Sequence, residues 1–267
     1  MNSTRLQDDH TSEVCMLVHD LLGYIEPPFV KIVLDVGSRN AKESIALKGF
    51  FSNARVYAFE CNPPAIELCK QNIGSRTDIT LITKAVSDVN GTVDFFAIDP
   101  EKTVTSHADG NIGASSLFVA NPDYPYEKYH QEKITVESIT LEQWAESAGV
   151  QDIDIMWIDL QGAELKAFQG MGNLLSRTKV IYTEIEFKKI YLGQPLFREV
   201  DSYLSARGFC LLKLYPSGWS GNALYVQNDL VQGMRLATSQ VRKYFALGRV
   251  QLSLIKQYLT NSFRCNA

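Results

Sequence analysis

Residues 31–44, K-I-V-L-D-V-G-S-R-N-A-K-E-S, constrain the fold more than any other stretch of the chain. Ile32, Val33, Leu34 and Val36 make a short apolar run closed by an acid and a glycine, the pattern of a strand buried on both faces. Gly37 admits a turn that a side chain would obstruct, and apolar spacing then predicts a helix over 42–51. A strand feeding a helix through a glycine turn begins one half of a doubly wound sheet, in which a ligand lies beyond the strand's carboxyl end. The first turn of that helix offers unpaired N–H groups to a carboxylate or phosphate. Plain packing produces the same junction, so the other strands have to decide between the two.

Two further runs end as the first does. Residues 55–59 lead to Glu60, and 152–158 lead to Asp159, which turns through Gln161 and Gly162 into a predicted helix over 163–176. Asn62 followed by Pro63 starts a helix that stops near Gly74. Strands are predicted at 78–84, 134–139 and 179–185, and a helix at 195–207 with Gly208 beyond its end. Asn90-Gly91 predicts a tight hairpin, Thr140 with Gln143 a capping box, and 209–215 with 222–226 a closing hairpin around P-S-G-W-S-G. Residues 11–25 read as an amphipathic helix with His19 partly buried, ended by Pro27 and Pro28. This alternation predicts an α/β fold: a doubly wound, mostly parallel, Rossmann-like sheet with an antiparallel closing strand, an added hairpin, and N- and C-terminal helices. Residues 99–132 are polar and too long for a plain connection, so a functional loop or lid is expected there.

Composition narrows the class. The 267 residues are 45% apolar and 21% charged, as in a soluble globular protein. No apolar run approaches the ~18 residues of a membrane span, and the first residues lack the apolar centre of a secretion signal. Five scattered cysteines without CxxC spacing suit a reducing, cytoplasmic setting. Net charge is −4, yet no acid follows Asp229, whereas Arg235, Arg242, Lys243, Arg249, Lys256 and Arg264 do. A body so acidic does not suit nucleic acid. Within 230–260, Val241, Phe245, Leu252, Ile255 and Leu259 share a helical face edged by Arg242, Arg249 and Lys256. Such a helix docks on the acidic body or a partner subunit, giving a homo-oligomer, or lies on the inner face of an anionic membrane. Three segments are therefore expected: 1–30 helical, 31–227 the α/β domain, and 228–267 a basic extension.

Asp35, Glu60 and Asp159 end three strands, and in a doubly wound sheet those ends share one crevice. Glu60 can accept both ribose hydroxyls of a nucleoside. A dinucleotide site wants G-x-G-x-x-G, which lets the backbone approach a pyrophosphate. The turn here has one glycine, and its helix starts with Glu43. Acids repel two phosphates but attract a sulfonium and an ammonium group. The charge pattern favours S-adenosylmethionine over NAD.

In the order D-V-G-S-R-N-A-K-E-S, A-F-E-C-N-P, A-V-S-D-V-N-G, G-A-S-S-L, I-D-L-Q-G-A-E-L and I-Y-T-E-I-E-F, the chain resembles the FkbM family of S-adenosylmethionine-dependent methyltransferases over about residues 30–227. The resemblance implies a class I methyltransferase fold and O-methylation of a sugar or polyketide-type hydroxyl. By position it assigns Asp35, Gly37, Ser38, Arg39 and Glu43 to the cofactor loop, and Glu60 with Cys61 to the ribose site. It sets Ala85, Val86 and Ser87 beside the adenine, and Asp159, Gln161 and Glu164 near the methyl group. Asp159 is the first candidate base for the acceptor hydroxyl, or else a ligand of the cofactor's ammonium. Glu184 and Glu186 are expected to divide between two faces, one toward the crevice. His107 is a further candidate base on the long loop, whose tyrosines would suit a sugar or simply anchor the loop. No metal-ligand spacing is visible. The family more often has Asn at position 39 and Gly at 41, so Arg39 and Ala41 also admit a non-catalytic nucleoside- or glycan-binding module.

Overall fold

The computed structural model describes residues 9–231, with side chains from residue 12 onward. In chain order these residues form α1 (Asp9–Leu21), β1 (Ile32–Val36), α2 (Lys42–Phe50), β2 (Arg55–Phe59), α3 (Pro63–Ile73), β3 (Ile79–Ile82), β4 (Ala85–Val86) and β5 (Gly91–Ile98). There follow β6 (Gln131–Ile139), α4 (Leu141–Ala148), β7 (Ile153–Ile158), α5 (Glu164–Gln169), β8 (Thr178–Glu186), α6 (Phe197–Ser205), β9 (Phe209–Ser217) and β10 (Ser220–Gln227). Seven strands make one sheet in the order β3-β2-β1-β7-β8-β10-β9. Only β10 runs against its neighbours, pairing antiparallel with β8 and β9. The order reverses between β1 and β7, and a doubly wound sheet binds its ligand at such a switch point.

The pleat and register explain why the strand ends meet. Val33, Leu34 and Val36 are fully buried, as are Ile155 and Met156 of β7, so hydrophobic burial fixes the central strands on both faces. Asp35 lies level with Ala58 and Trp157. Beyond the last pair, Gly37 and Ser38 N–H donate to the Phe59 carbonyl at 3.0 and 2.9 Å, and Asp159 N–H donates to the Val36 carbonyl at 2.9 Å. These bonds zip the carboxyl ends of β1, β2 and β7 together. Trp144 of α4 meets Tyr57 and Phe59 edge-on, at 4.9 and 5.0 Å, and seals that end of the sheet.

Several expectations change in the folded chain. Asn90-Gly91 does not close a hairpin: β5 pairs antiparallel with β6 over its whole length, while two-residue β4 pairs parallel with the other side of β6. Asn90 instead accepts Thr140 N–H through its side chain at 2.8 Å. The helix expected over 163–176 stops at Gln169 and resumes as a 3-10 turn, Gly172–Arg177. Gly170 marks the break, because a Cβ there would lie 2.2 Å from the Ser87 carbonyl. α1 ends at Leu21, ahead of Gly23 with its φ of +94°, and His19 is exposed. Glu184 and Glu186 do not divide between faces; two positions apart on β8, they share one. Beyond Val231 the basic stretch lies outside the described residues.

Candidate active site

A cavity of about 300 Å³ opens beyond the carboxyl ends of β1, β2 and β7, at the small end of the range for ligand sites. Gly37, Arg39, Glu60, Cys61 and Asn62 line one end, with Ala85, Val86 and Phe95 beside them. Asp159, Gln161 and Glu184 line the other, together with Tyr124, Tyr129 and Ser220. Glycine is required at 37: φ is +91°, and a Cβ would lie 1.8 Å from the Asp159 carbonyl oxygen. The β1 turn and the β7 turn therefore touch through bare backbone.

Glu60 organises the first end. Its Oε1 accepts Cys61 and Asn62 N–H and its Oε2 accepts Arg39 N–H, each at 2.8 Å. Burial raises its pKa, these three donors oppose the rise, and the charge of Asp159 adds to it. Asn62 heads α3 without capping it; its amide turns away and donates to the Ser115 hydroxyl at 3.1 Å. Asn62 lines the cavity, and its Oδ1 is buried with no partner among the described residues. The two cations on the wall are already neutralised: Arg39 pairs with Asp109 at 2.5 Å and Lys84 with Glu137 at 2.9 Å.

At the second end one amide holds two carboxylates. Gln161 Nε2 donates to Asp159 Oδ1 at 2.7 Å and to Glu184 Oε2 at 2.8 Å. The Tyr191 hydroxyl lies 2.8 Å from Gln161 Oε1 and also 2.8 Å from the Ala114 carbonyl. Gln161 adopts a left-handed φ of +53°, and the hydroxyl of Ser116 bonds its carbonyl at 2.7 Å. Glu164 is buried beneath, where its Oε1 accepts Leu160 N–H at 2.6 Å. Burial first, then the charge of Asp159, pushes Glu164 up to about 8. Burial, Asp159 and Glu186 raise Glu184 well above the usual carboxylate range. Asp159, Glu164 and Glu184 each bring an oxygen within 4.8 Å of the others. The fold thus gathers a set able to hold a divalent cation that chain spacing concealed; the amide of Gln161 already bridges two of the three.

Segment 109–116 roofs the cavity. Arg39 and Asn62 tie it to the first end, Ser116 and Tyr191 to the second. Asn111, at φ +56°, donates through Nδ2 to both oxygens of Glu127 at 3.1 Å, and Glu127 also takes the hydroxyls of Thr105 and Tyr129.

Of the residues singled out from the sequence, Gly37, Arg39, Glu60, Cys61, Ala85, Val86, Asp159, Gln161, Glu184 and His107 are on the cavity wall. Four are not. Asp35 is buried under the turn, bonded to the Ser44 hydroxyl, and burial with the charge of Glu43 pushes it up to about 7. Ser38 bonds the Asp35 carbonyl, Ser87 bonds Asp88, and Glu43 is on the first turn of α2 away from the wall. The α2 N-terminus is also less open than expected, since Asn40 Oδ1 accepts Lys42 N–H at 3.1 Å. His107 reaches the wall as an exposed residue of the long segment, without a bond to Asp159 or Glu184. Asn62 and Tyr191 carry roles that their place in the sequence does not advertise.

Comparison with known proteins agrees with this geometry. The profile of the Methyltransferase FkbM domain matches residues 35–211. The 2-O-methyltransferase NoeI of Sinorhizobium fredii (strain NBRC 101917 / NGR234) is 29% identical over 199 residues, 72% of this chain and 78% of that protein. Among solved structures, a Methanococcus jannaschii fibrillarin pre-rRNA processing protein aligns with a TM-score of 0.47 at 12% identity, over 76% of this chain and 69% of that one. TrmK of M. capricolum, in complex with S-adenosyl-homocysteine, aligns at 0.45 and 10% identity, over 82% and 68%. Likenesses that remote carry no argument about the reaction. The profile begins at Asp35 near the end of β1 and spans the ends of β1, β2, β7 and β8, and by it the chain belongs to the Methyltransferase FkbM domain family.

Proposed function

We propose that this methyltransferase moves the methyl group of S-adenosylmethionine to a hydroxyl oxygen of a sugar. The observation that carries the reading is one continuous cavity with Glu60 at one end and the Asp159–Glu184 pair at the other, where Arg39 and Lys84 of the described residues are each taken up by a carboxylate. Acids in a low-dielectric cavity suit a cationic donor and oppose a pyrophosphate. Glu60 and the unpartnered Oδ1 of Asn62 fit the hydroxyl and amino groups of a nucleoside. Bound there, S-adenosylmethionine supplies an electrophilic methyl carbon.

The remaining work belongs to the chain. Alignment of an acceptor oxygen can supply about 7–11 kcal/mol, and the walls at Tyr124, Tyr129 and Glu184 serve that end. Gln161 fixes Asp159 through Oδ1 while its carboxylate accepts the acceptor's hydroxyl proton. Glu184, raised well above the usual carboxylate range by burial and by the charge of Asp159, lines the same end and is placed to bond a neighbouring sugar oxygen. NoeI, a 2-O-methyltransferase by name, supports oxygen as the atom methylated.

The non-catalytic alternative rests on Arg39, which is on the cavity wall, and on Ala41. Ala41 is fully buried and absent from the cavity wall, so its methyl crowds nothing there. The test is isothermal titration with S-adenosylmethionine followed by turnover against a panel of sugars. Asp159→Asn is expected to bind the cofactor and lose about 10²–10⁴-fold in kcat. Cofactor binding with no turnover on any acceptor would restore the binding-module reading.

A further inference from the structure

Beside the acid end of the cavity stands an aromatic corner that shares only Tyr124 with the reacting end. Tyr124 and Tyr126 come from the long segment after β5, and Trp219 from the turn between β9 and β10. Their rings meet nearly at right angles: Tyr124 on Tyr126 at 5.7 Å and 75°, Tyr124 on Trp219 at 5.6 Å and 63°, Tyr126 on Trp219 at 6.2 Å and 82°. Tyr126 is 66% exposed, high for a ring with two aromatic neighbours. The corner is continuous with the cavity, because Tyr124 and Ser220 line it while Tyr126 and Trp219 stand outside. Lys188 Nζ lies over the Trp219 ring, 5.0 Å from its centre.

Resting on the sugar-methyltransferase reading above, we propose that this corner is a second saccharide subsite. The acceptor is then a glycoside of at least two units, its end unit at Asp159 and the next one against Tyr126 and Trp219. Aromatic faces are electron-rich and attract the electropositive C–H face of a pyranose, while Lys188 and the Tyr126 hydroxyl meet its oxygens. Position supports the chain length: Tyr124 and Ser220 are on the cavity wall, and the rings of Tyr126 and Trp219 stand against Tyr124 just outside it. The roof closes the far side, bonded to Asn62 and Gln161. What touches the corner therefore continues outward from the reacting unit.

The test uses the full chain. Steady-state methylation is measured on the methyl glycoside of the best monosaccharide acceptor and on a disaccharide glycoside extending it. Trp219→Ala and Tyr126→Ala are expected to raise KM for the disaccharide about threefold to tenfold, the size of one lost aromatic contact. KM for the monosaccharide, kcat, and the Kd for S-adenosylmethionine stay as in the parent. Equal loss on both acceptors, or no preference of the parent for the longer one, overturns the proposal. A second readout does not need turnover. Trp144 and Trp157 are buried, at 4% and 6% exposure, so quenching by added disaccharide reports on Trp219 and disappears in Trp219→Phe. Saturable quenching without methylation of any sugar would sink the reaction and keep the subsite, whereas methylation without quenching or length dependence would do the reverse.

Discussion

Tyr191 shows how much one hydroxyl can organise. It carries one proton and has two acceptors at 2.8 Å, Gln161 Oε1 and the Ala114 carbonyl. Tyr191→Phe removes the anchor that tells the Gln161 oxygen from its nitrogen, and a turned amide would face two carboxylates with an acceptor. Losing such a buried bond costs about 1–3 kcal/mol. A fall in kcat of about tenfold or more is expected, with a shifted pH–rate profile and unchanged affinity for S-adenosylmethionine, read by stopped assays across pH and by calorimetry. Gly37→Ala acts on stability instead. Its Cβ meets backbone at 1.8 Å, and a loss of about 2–4 kcal/mol should appear in thermal unfolding. Gly37, Glu60 and Asp159 were legible from sequence because strand-end chemistry announces them. Asp35 was misread, since the phase of the pleat turns its carboxylate to Ser44 under α2. Tyr191 and Asn62 were illegible because their partners stand 30 and 53 residues away.

Among elements, the roof over residues 109–116 can be ranked by its fastenings. The Arg39–Asp109 pair is short but its side chains are 28% and 46% exposed, and exposed pairs contribute under about 1 kcal/mol. Glu127 is a different case, a half-buried carboxylate taking Thr105, Asn111 and Tyr129 at once. Hydrogen bonds to a charged group contribute about 1.5–3 kcal/mol each. Limited proteolysis within residues 99–132 is therefore expected to change little in Arg39→Ala and to accelerate strongly in Glu127→Ala. Equal rates in the two variants would show that the roof is not fastened at Glu127. The sequence announced this segment by its length and polarity alone. It misplaced the hairpin at Asn90-Gly91, because the turn chemistry was right while β6 offered β5 eight paired positions and β4 only two.

For the whole molecule, buried acids set the response to pH. Asp35 is pushed up to about 7 and Glu164 up to about 8, each by burial first. An unfolded carboxyl ionises near pH 4, so between about pH 4 and pH 8 the folded chain holds more protons than the unfolded one. Stability without cofactor accordingly falls as pH rises through that window, by on the order of 2–4 kcal/mol for a shift of this size. Melting temperatures from pH 5 to pH 8.5 should decline, and Asp35→Asn should flatten the decline and gain stability at the alkaline end. Melting that is flat or rises with pH would mean these acids are ionised in the folded state. The sheet order was legible as a class from the alternation of strands and helices, whereas such proton uptake depends on depth of burial, which a sequence does not state.

The absent side chain at position 37 has one more consequence. Because the carbonyl of Asp159 occupies the space a β-carbon would need, donor-side and acid-side loops form one rigid seam, and neither can drift without dragging the other. New acceptors must then be accommodated where no such weld exists, in residues 99–132 and around Trp219. Relatives that differ in what they methylate should diverge there first, while the seam at Gly37 stays the same.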